Sequence, residues 1–241
     1  MSAWVWNVAS LSVDQPAVRT AVTAFRPVAP TAPRPDLTGL PLIDTEFVSS
    51  QRSAGRLLAH AAGRAALAHL LEQSGLDPLE HSVSRNTDGA PLLHPASVVF
   101  SIAHDESLAV AVTAAPSMRL GVDVEAATRR VGDAVLPQIA AGAELTRLLA
   151  AVPSVRLDAW LAKEAVCKAA GVPLDRSAKL VELNLDPISL SPSPKPGDDA
   201  VEVSRLAVSS ALFDGARYDL SHLTHLSGDS EHRLCIAFLA G

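Results

Sequence analysis

Two acidic residues, Asp123 and Glu125, alternate with valines in the segment Gly121-Val122-Asp123-Val124-Glu125. On a strand, side chains two apart share a face, so both carboxylates point one way and both valines the other. About forty residues on, Trp160-Leu161-Ala162-Lys163-Glu164-Ala165-Val166-Cys167-Lys168 carries a helical pattern in which Glu164 and Lys168 share a face. Like charges on one strand face repel unless a cation lies between them. A hard cation such as Mg²⁺ takes oxygen ligands and is commonly shared between one or two carboxylates and substrate phosphates. Three carboxylates and two lysines, Lys163 and Lys168, could therefore make a metal site beside an anion site, a combination suited to phosphoryl chemistry. Taken singly, each segment also has a plainer reading. The strand is then a solvated acidic face, and the helix pair a surface contact worth about 0.3–0.5 kcal/mol.

Other groups could serve the same chemistry. His104 follows an apolar strand and shares a turn with Asp105 and Glu106, where an imidazole can meet a phosphate oxygen or simply be solvated. Arg52, Arg56 and Arg64 suit a phosphate monoester, or equally the polar side of an amphipathic helix. Cys167 lies inside the helical pattern without a neighbouring base beyond Glu164, which favours a structural role over a nucleophilic one. P-loop, nucleophile-elbow and Cys-x-x-Cys patterns are missing from the sequence.

The elements that must position these groups follow from patterning. Residues 4–9 and 18–25 read as a short strand and a short helix, and the proline-rich stretch 27–41 as an irregular surface loop. A helix is predicted over 49–71, stopped at Gly75. Asp88-Gly89 marks a hairpin turn within 81–93. Strands are predicted over 98–103 and 108–113, with a further one around Asp123. Helical patterning covers 131–151 and, more strongly, 155–170, where Pro153-Ser154 gives a start and Gly171 with Pro173 a stop. The Pro/Ser-rich stretch 189–199 reads as a connection, and 200–208, 216–220 and 233–239 as strands. This order predicts an α+β fold of two lobes, residues 1–118 and 119–241.

Composition narrows the partners. The chain has 241 residues, 48% of them hydrophobic, and a formal net charge of −6, so any site for a polyanion must be local and a nucleic-acid surface is not expected. Two cysteines, Cys167 and Cys235, offer neither a disulfide framework nor a zinc spacing and fit a reducing cytoplasm. No signal peptide or membrane span is expected, since the apolar stretch 98–115 is cut by His104, Asp105 and Glu106.

Together, GVDVE at 121–125 and WLAKEAVCK at 160–168 resemble the motifs of the 4′-phosphopantetheinyl transferases, in particular the two-lobed type that activates carrier proteins of peptide and polyketide synthesis. A third family block, a Gly-Lys-Pro turn before a short strand ending in Ser-His, has its counterpart in Gly89-Ala90-Pro91 and Phe100-Ser101-Ile102-Ala103-His104. Ala90 replaces the lysine and Ala103 the serine, so the grip on the nucleotide departs from the pattern. Order and spacing agree over roughly residues 50–170.

The resemblance implies a pseudo-dimer of two similar α+β lobes with the active site between them. It implies transfer of the phosphopantetheine arm of coenzyme A to a serine of an apo carrier protein, by a monomer, with release of adenosine 3′,5′-bisphosphate. Mg²⁺ would be held by Asp123, Glu125 and Glu164. Lys168 and His104 would hold phosphates, Lys163 the nucleotide or pantetheine end, and Glu164 would take the serine proton. Arg52, Arg56 and Arg64 would meet the 3′-phosphate, and Glu144 is a secondary acidic candidate. A non-catalytic relative that binds coenzyme A or a carrier, and another Mg²⁺-dependent phosphoryl-transfer enzyme, are the alternative readings.

Overall fold

The computed structural model describes residues 8–13, 15–29, 31–86, 90–185, 208–227 and 230–239. The expected turn at Asp88-Gly89, the connection 189–199 and all but the last residue of the strand expected over 200–208 lie outside them. In chain order come strands β1 (Val8–Leu11) and β2 (Arg19–Ala24) and helices α1 (Thr45–Ser50) and α2 (Ala54–Gln73). Strands β3 (Ser82–Arg85), β4 (Pro91–His94), β5 (Val99–His104), β6 (Leu108–Ala114) and β7 (Arg119–Ala126) follow. Then come α3 (Leu136–Ile139), α4 (Gly142–Ala150), α5 (Pro153–Ala170) and α6 (Leu174–Ser177), and last β8 (Glu182–Leu185), β9 (Val208–Phe213), β10 (Ala216–Ser227) and β11 (Ser230–Leu239).

The fold is α+β, with antiparallel sheets throughout. One sheet runs β1-β2-β6-β5, another β7-β11-β10-β9-β8, and β3-β4 is a separate hairpin. Alternation along the strands sorts their side chains into layers. Val110 and Val112 of β6 join Val122 and Val124 of β7 and Leu234 and Ile236 of β11 in one core between the two sheets. Ala111 and Phe100 face the other way, onto Leu67, Leu70 and Leu71 of α2. Cys235 and Ala237 face Leu161, Ala162 and Ala165 of α5. The order of layers is therefore α2, first sheet, second sheet, α5.

Several elements depart from the patterning. Residues 19–24 form a strand: Arg-Thr-Ala-Val-Thr-Ala has the β-branched content of a sheet, and it lies between β1 and β6. The helix expected over 49–71 is two helices, because Ser53 caps a fresh start by accepting from the Arg56 amide at 3.4 Å. The proline-rich segment is irregular, yet it does more than cross the surface. Leu37 and Leu42 are buried, and Leu37 packs with Leu57 and Ala61. That cover explains why α2 is buried almost all round.

Helix α5 ends as the sequence predicts, with Gly171 in the left-handed region (φ 70°) accepting the cap geometry. Its approach to β7 is set by Gly121. A Cβ there would stand 2.0 Å from the Ala165 carbonyl oxygen and 2.5 Å from the Ala169 amide nitrogen. Both are helix backbone atoms and cannot step aside. Asp158, buried on α5, accepts two bonds of 2.7 Å from the Arg233 guanidinium of β11, which fixes the helix along the sheet. Among the described residues, no helix is long and apolar enough to cross a membrane.

Gly121→Ala is expected to lower the unfolding free energy by about 3 kcal/mol, the upper end for overpacking. Gly55→Ala, in the open first turn of α2, is expected to raise it by about 0.5–1 kcal/mol. Urea melts of the two variants check this; a Gly121→Ala protein as stable as wild type would contradict the close contact.

Candidate functional site

Because Gly121 lets α5 lie against β7, the odd-numbered face of that strand meets the helix face carrying Glu164 and Lys168. The Lys168 ammonium donates to Asp123 Oδ1 at 2.7 Å and to the Val122 carbonyl at 3.1 Å, and stands 3.8 Å from Glu164 Oε2. The amide of Val122 donates to Ser101 Oγ of β5 at 3.2 Å, so one peptide residue links both sheets and the helix lysine. Burial works against the Lys168 charge, but Asp123 and Glu164 outweigh it and leave its pKa raised.

The carboxylates feel each other. Burial, followed by the Asp123 charge, pushes Glu164 up to about 6, with Lys168 and Arg129 opposing. Asp123 is 6% exposed, and its Oδ2 has no hydrogen-bond partner among the described residues. An acceptor buried in that state calls for a donor or a cation. Glu125 is engaged differently: Arg129 donates to its Oε1, and the same guanidinium lies 5.1 Å from the centre of the Trp160 ring. Among the described residues, no three His, Cys, Asp or Glu side chains converge on one point. The expected three-carboxylate set is thus drawn together only in part, with Asp123 and Glu164 sharing Lys168 and Glu125 turned to Arg129.

His104 ends β5, on the sheet opposite β7, and comes within electrostatic reach of this cluster. Burial and the Lys168 ammonium hold its imidazole below the ordinary value, against Asp105 and Asp123. His104 and Arg56 line one groove of about 380 Å³, floored by Phe25, Gly55 and Ala59. A larger groove of about 630 Å³ runs from Lys168 past Ser101 to Ala90 and Pro91. Ala90 therefore faces the groove, whereas Ala103 is buried in the core between the sheets. The two departures from the family pattern fall in different environments.

Other expected site residues are elsewhere. Lys163 is fully buried on the far side of α5, bonded to Glu144 Oε2 at 2.9 Å and to the carbonyls of Ala178 and Val181 at 3.0 and 2.5 Å. Glu144 also accepts from the Leu183 amide at 3.2 Å, so the pair staples α4, α5 and the start of β8. A residue one position before Glu164 points about 100° away on a helix, which is why adjacency misled. Arg64 is 4% exposed, with its guanidinium carbon 5.9 Å from the Phe100 ring centre; burial pulls it down to about 10. Arg52 stands exposed in the break between α1 and α2. Arg56 shares a groove with His104. Cys167 is buried and burial pushes its thiol up to about 11, in keeping with a structural cysteine. Sequence reading missed Arg129 and His232. Arg129 lies in an irregular segment with no periodic signal, and His232, whose buried ring bonds Asp105 at 2.7 Å, is distant in sequence from its partner.

Residues 119–207 match the family model of the 4′-phosphopantetheinyl transferase superfamily. That segment contains Asp123, Glu125, Glu164 and Lys168. A search of curated proteins finds no match to the chain.

Two measurements bear on the assignments. Lys163→Met leaves Glu144 without its cation and is expected to cost about 3–5 kcal/mol, most of it regained in Lys163→Met/Glu144→Leu. Denaturant melts of both variants check this, and a single variant of wild-type stability would show that the pair is not structural. Glu164 titrates higher folded than unfolded, so its ionisation costs stability as pH rises through the interval between an ordinary glutamate and about 6. Glu164→Gln is therefore expected to stabilise the ligand-free protein by roughly 1–2 kcal/mol at pH 8 and not at pH 4. Equal effects at both values would contradict the raised pKa.

Proposed function

We propose that the chain, as a member of the superfamily its residues 119–207 match, transfers the 4′-phosphopantetheine arm of coenzyme A to a serine hydroxyl of an apo acyl or peptidyl carrier protein. Adenosine 3′,5′-bisphosphate is the leaving product. The observation that carries the reading is the Lys168 ammonium held between Asp123 and Glu164, with the buried Asp123 Oδ2 left without a donor. A cation beside paired carboxylates is what a diphosphate and a metal ion require together.

The roles follow from the surroundings. Lys168, on α5, and His104, at the end of β5, would hold the diphosphate, and Arg56, in the groove with His104, the 3′-phosphate. Asp123 and Glu164 fit Mg²⁺ through the unpartnered oxygen and their close like charges, and Glu125 would join them on release from Arg129. Mg²⁺, when bound, neutralises charge on the phosphates as the P–O bond breaks. Glu164, beside Lys168 and in the field of Asp123, would accept the serine proton. The serine nucleophile belongs to the carrier, in keeping with two buried cysteines that offer no thiolate. A pseudo-dimer of lobes 1–118 and 119–241 acting as a monomer accords with the site drawing on both sheets.

Purified protein mixed with coenzyme A, Mg²⁺ and a panel of apo carriers is expected to add the mass of one phosphopantetheine group to a carrier. Asp123→Ala and Lys168→Ala are expected to slow that gain by on the order of 10²-fold or more. Intact-mass analysis reads both. Coenzyme A binding without mass gain on any carrier would sink the transferase reading in favour of a binding protein.

A further inference from the structure

The turn that carries His104 is tied to the opposite sheet by a contact the transfer chemistry does not itself use. Asp105 accepts at Oδ2 from Nδ1 of His232, on β11, at 2.7 Å. Both side chains are nearly sealed from solvent, at 5% and 1% exposure. Asp105 Oδ1 accepts from the amides of Ser107 and Leu108 at 2.7 and 2.8 Å, and its own amide donates to the Leu108 carbonyl at 2.9 Å. One carboxylate thus closes the β5–β6 turn with one oxygen and anchors it across the core with the other. Nε2 of His232 is buried without a partner among the described residues. Any imidazole in that setting keeps its proton on Nδ1, where the acceptor is.

His232 pairs in register with Ala126, the end of the acidic strand, while Asp105 directly follows His104. The contact therefore fixes the end of β5 against the end of β7. We infer that Asp105 and His232 form a latch between the sheets that sets the position of His104 over the Asp123–Lys168 centre, and so act as positioning residues for the diphosphate. The inference rests on the reading of His104 as a phosphate contact. A mere stabilising contact would lower the melting temperature and leave ligand affinity of the folded protein unchanged. A latch acts through one imidazole, so its effect on affinity vanishes once that imidazole is gone.

The test is a double-mutant cycle on coenzyme A affinity, measured by calorimetry with Mg²⁺ at a temperature where melts show every variant folded. His232→Leu removes the donor, and Asp105→Asn breaks the contact from the other side should His232→Leu fail to fold. Each is expected to weaken coenzyme A binding about tenfold, as does His104→Ala, the loss of about one charge-assisted hydrogen bond. His232→Asn, whose amide nitrogen reaches the place of Nδ1, is expected to restore affinity to within about threefold of wild type. His104→Ala/His232→Leu is expected to bind no more weakly than His104→Ala alone. Additive losses, or unchanged affinity in both latch variants, would overturn the inference while leaving the transferase reading intact. A wild-type protein that binds no coenzyme A would overturn that reading, and the latch role with it.

Discussion

Everything chemical in this protein depends on the absence of one methyl group at Gly121. With any larger side chain, α5 would have to stand off from β7, because a Cβ at this point would fall on the helix backbone at Ala165 and Ala169. Only the close approach lets the Lys168 ammonium reach both Asp123 and the Val122 carbonyl. The helix then brings Glu164 into the field of Asp123, and burial together with that charge lifts Glu164 to about 6. A small residue thereby creates a close pairing of carboxylates which a cation can relieve.

The second support is the joining of the two sheets. Their inner faces share a core of branched side chains, and polar ties cross at the edges, Ser101 to Val122 and Asp105 to His232. Apolar packing fixes the distance between sheets but tolerates sliding along the strands. Directional hydrogen bonds remove that freedom. They also bring residues of the first sheet, His104 among them, to a centre built from Asp123 on the second sheet and from Glu164 and Lys168 on the helix packed against it.

Much of this was legible in the sequence. The alternation of GVDVE determines which residues face the helix, and the four-residue spacing of Glu164 and Lys168 puts them on one stripe. The ends of α5, with Pro153 at the start and Gly171 at the stop, were likewise readable. Local pattern does not tell what covers a helix, so Arg64 read as exposed when the proline-rich segment and the first sheet enclose α2. Helical spacing does part neighbours by direction: Lys163 and Glu164 are adjacent letters about 100° apart, and one staples the interior while the other faces Asp123. The contact of Asp105 with His232 arises from tertiary placement, 127 residues apart, and carries no spacing signal. Glu125 and Arg129 are four apart, but the strand ends before Arg129, so no periodicity marks the pair.

The central claim is that Asp123 and Glu164, with Lys168 beside them, form a centre for a divalent cation shared with a diphosphate. Electron paramagnetic resonance of free Mn²⁺ tests it most directly, by titrating the ion into the protein with and without coenzyme A. The account predicts that coenzyme A and protein together take up one Mn²⁺ more tightly than either does alone, and that Asp123→Asn removes this gain. Uptake that ignores coenzyme A, or persists unchanged in Asp123→Asn, would contradict it.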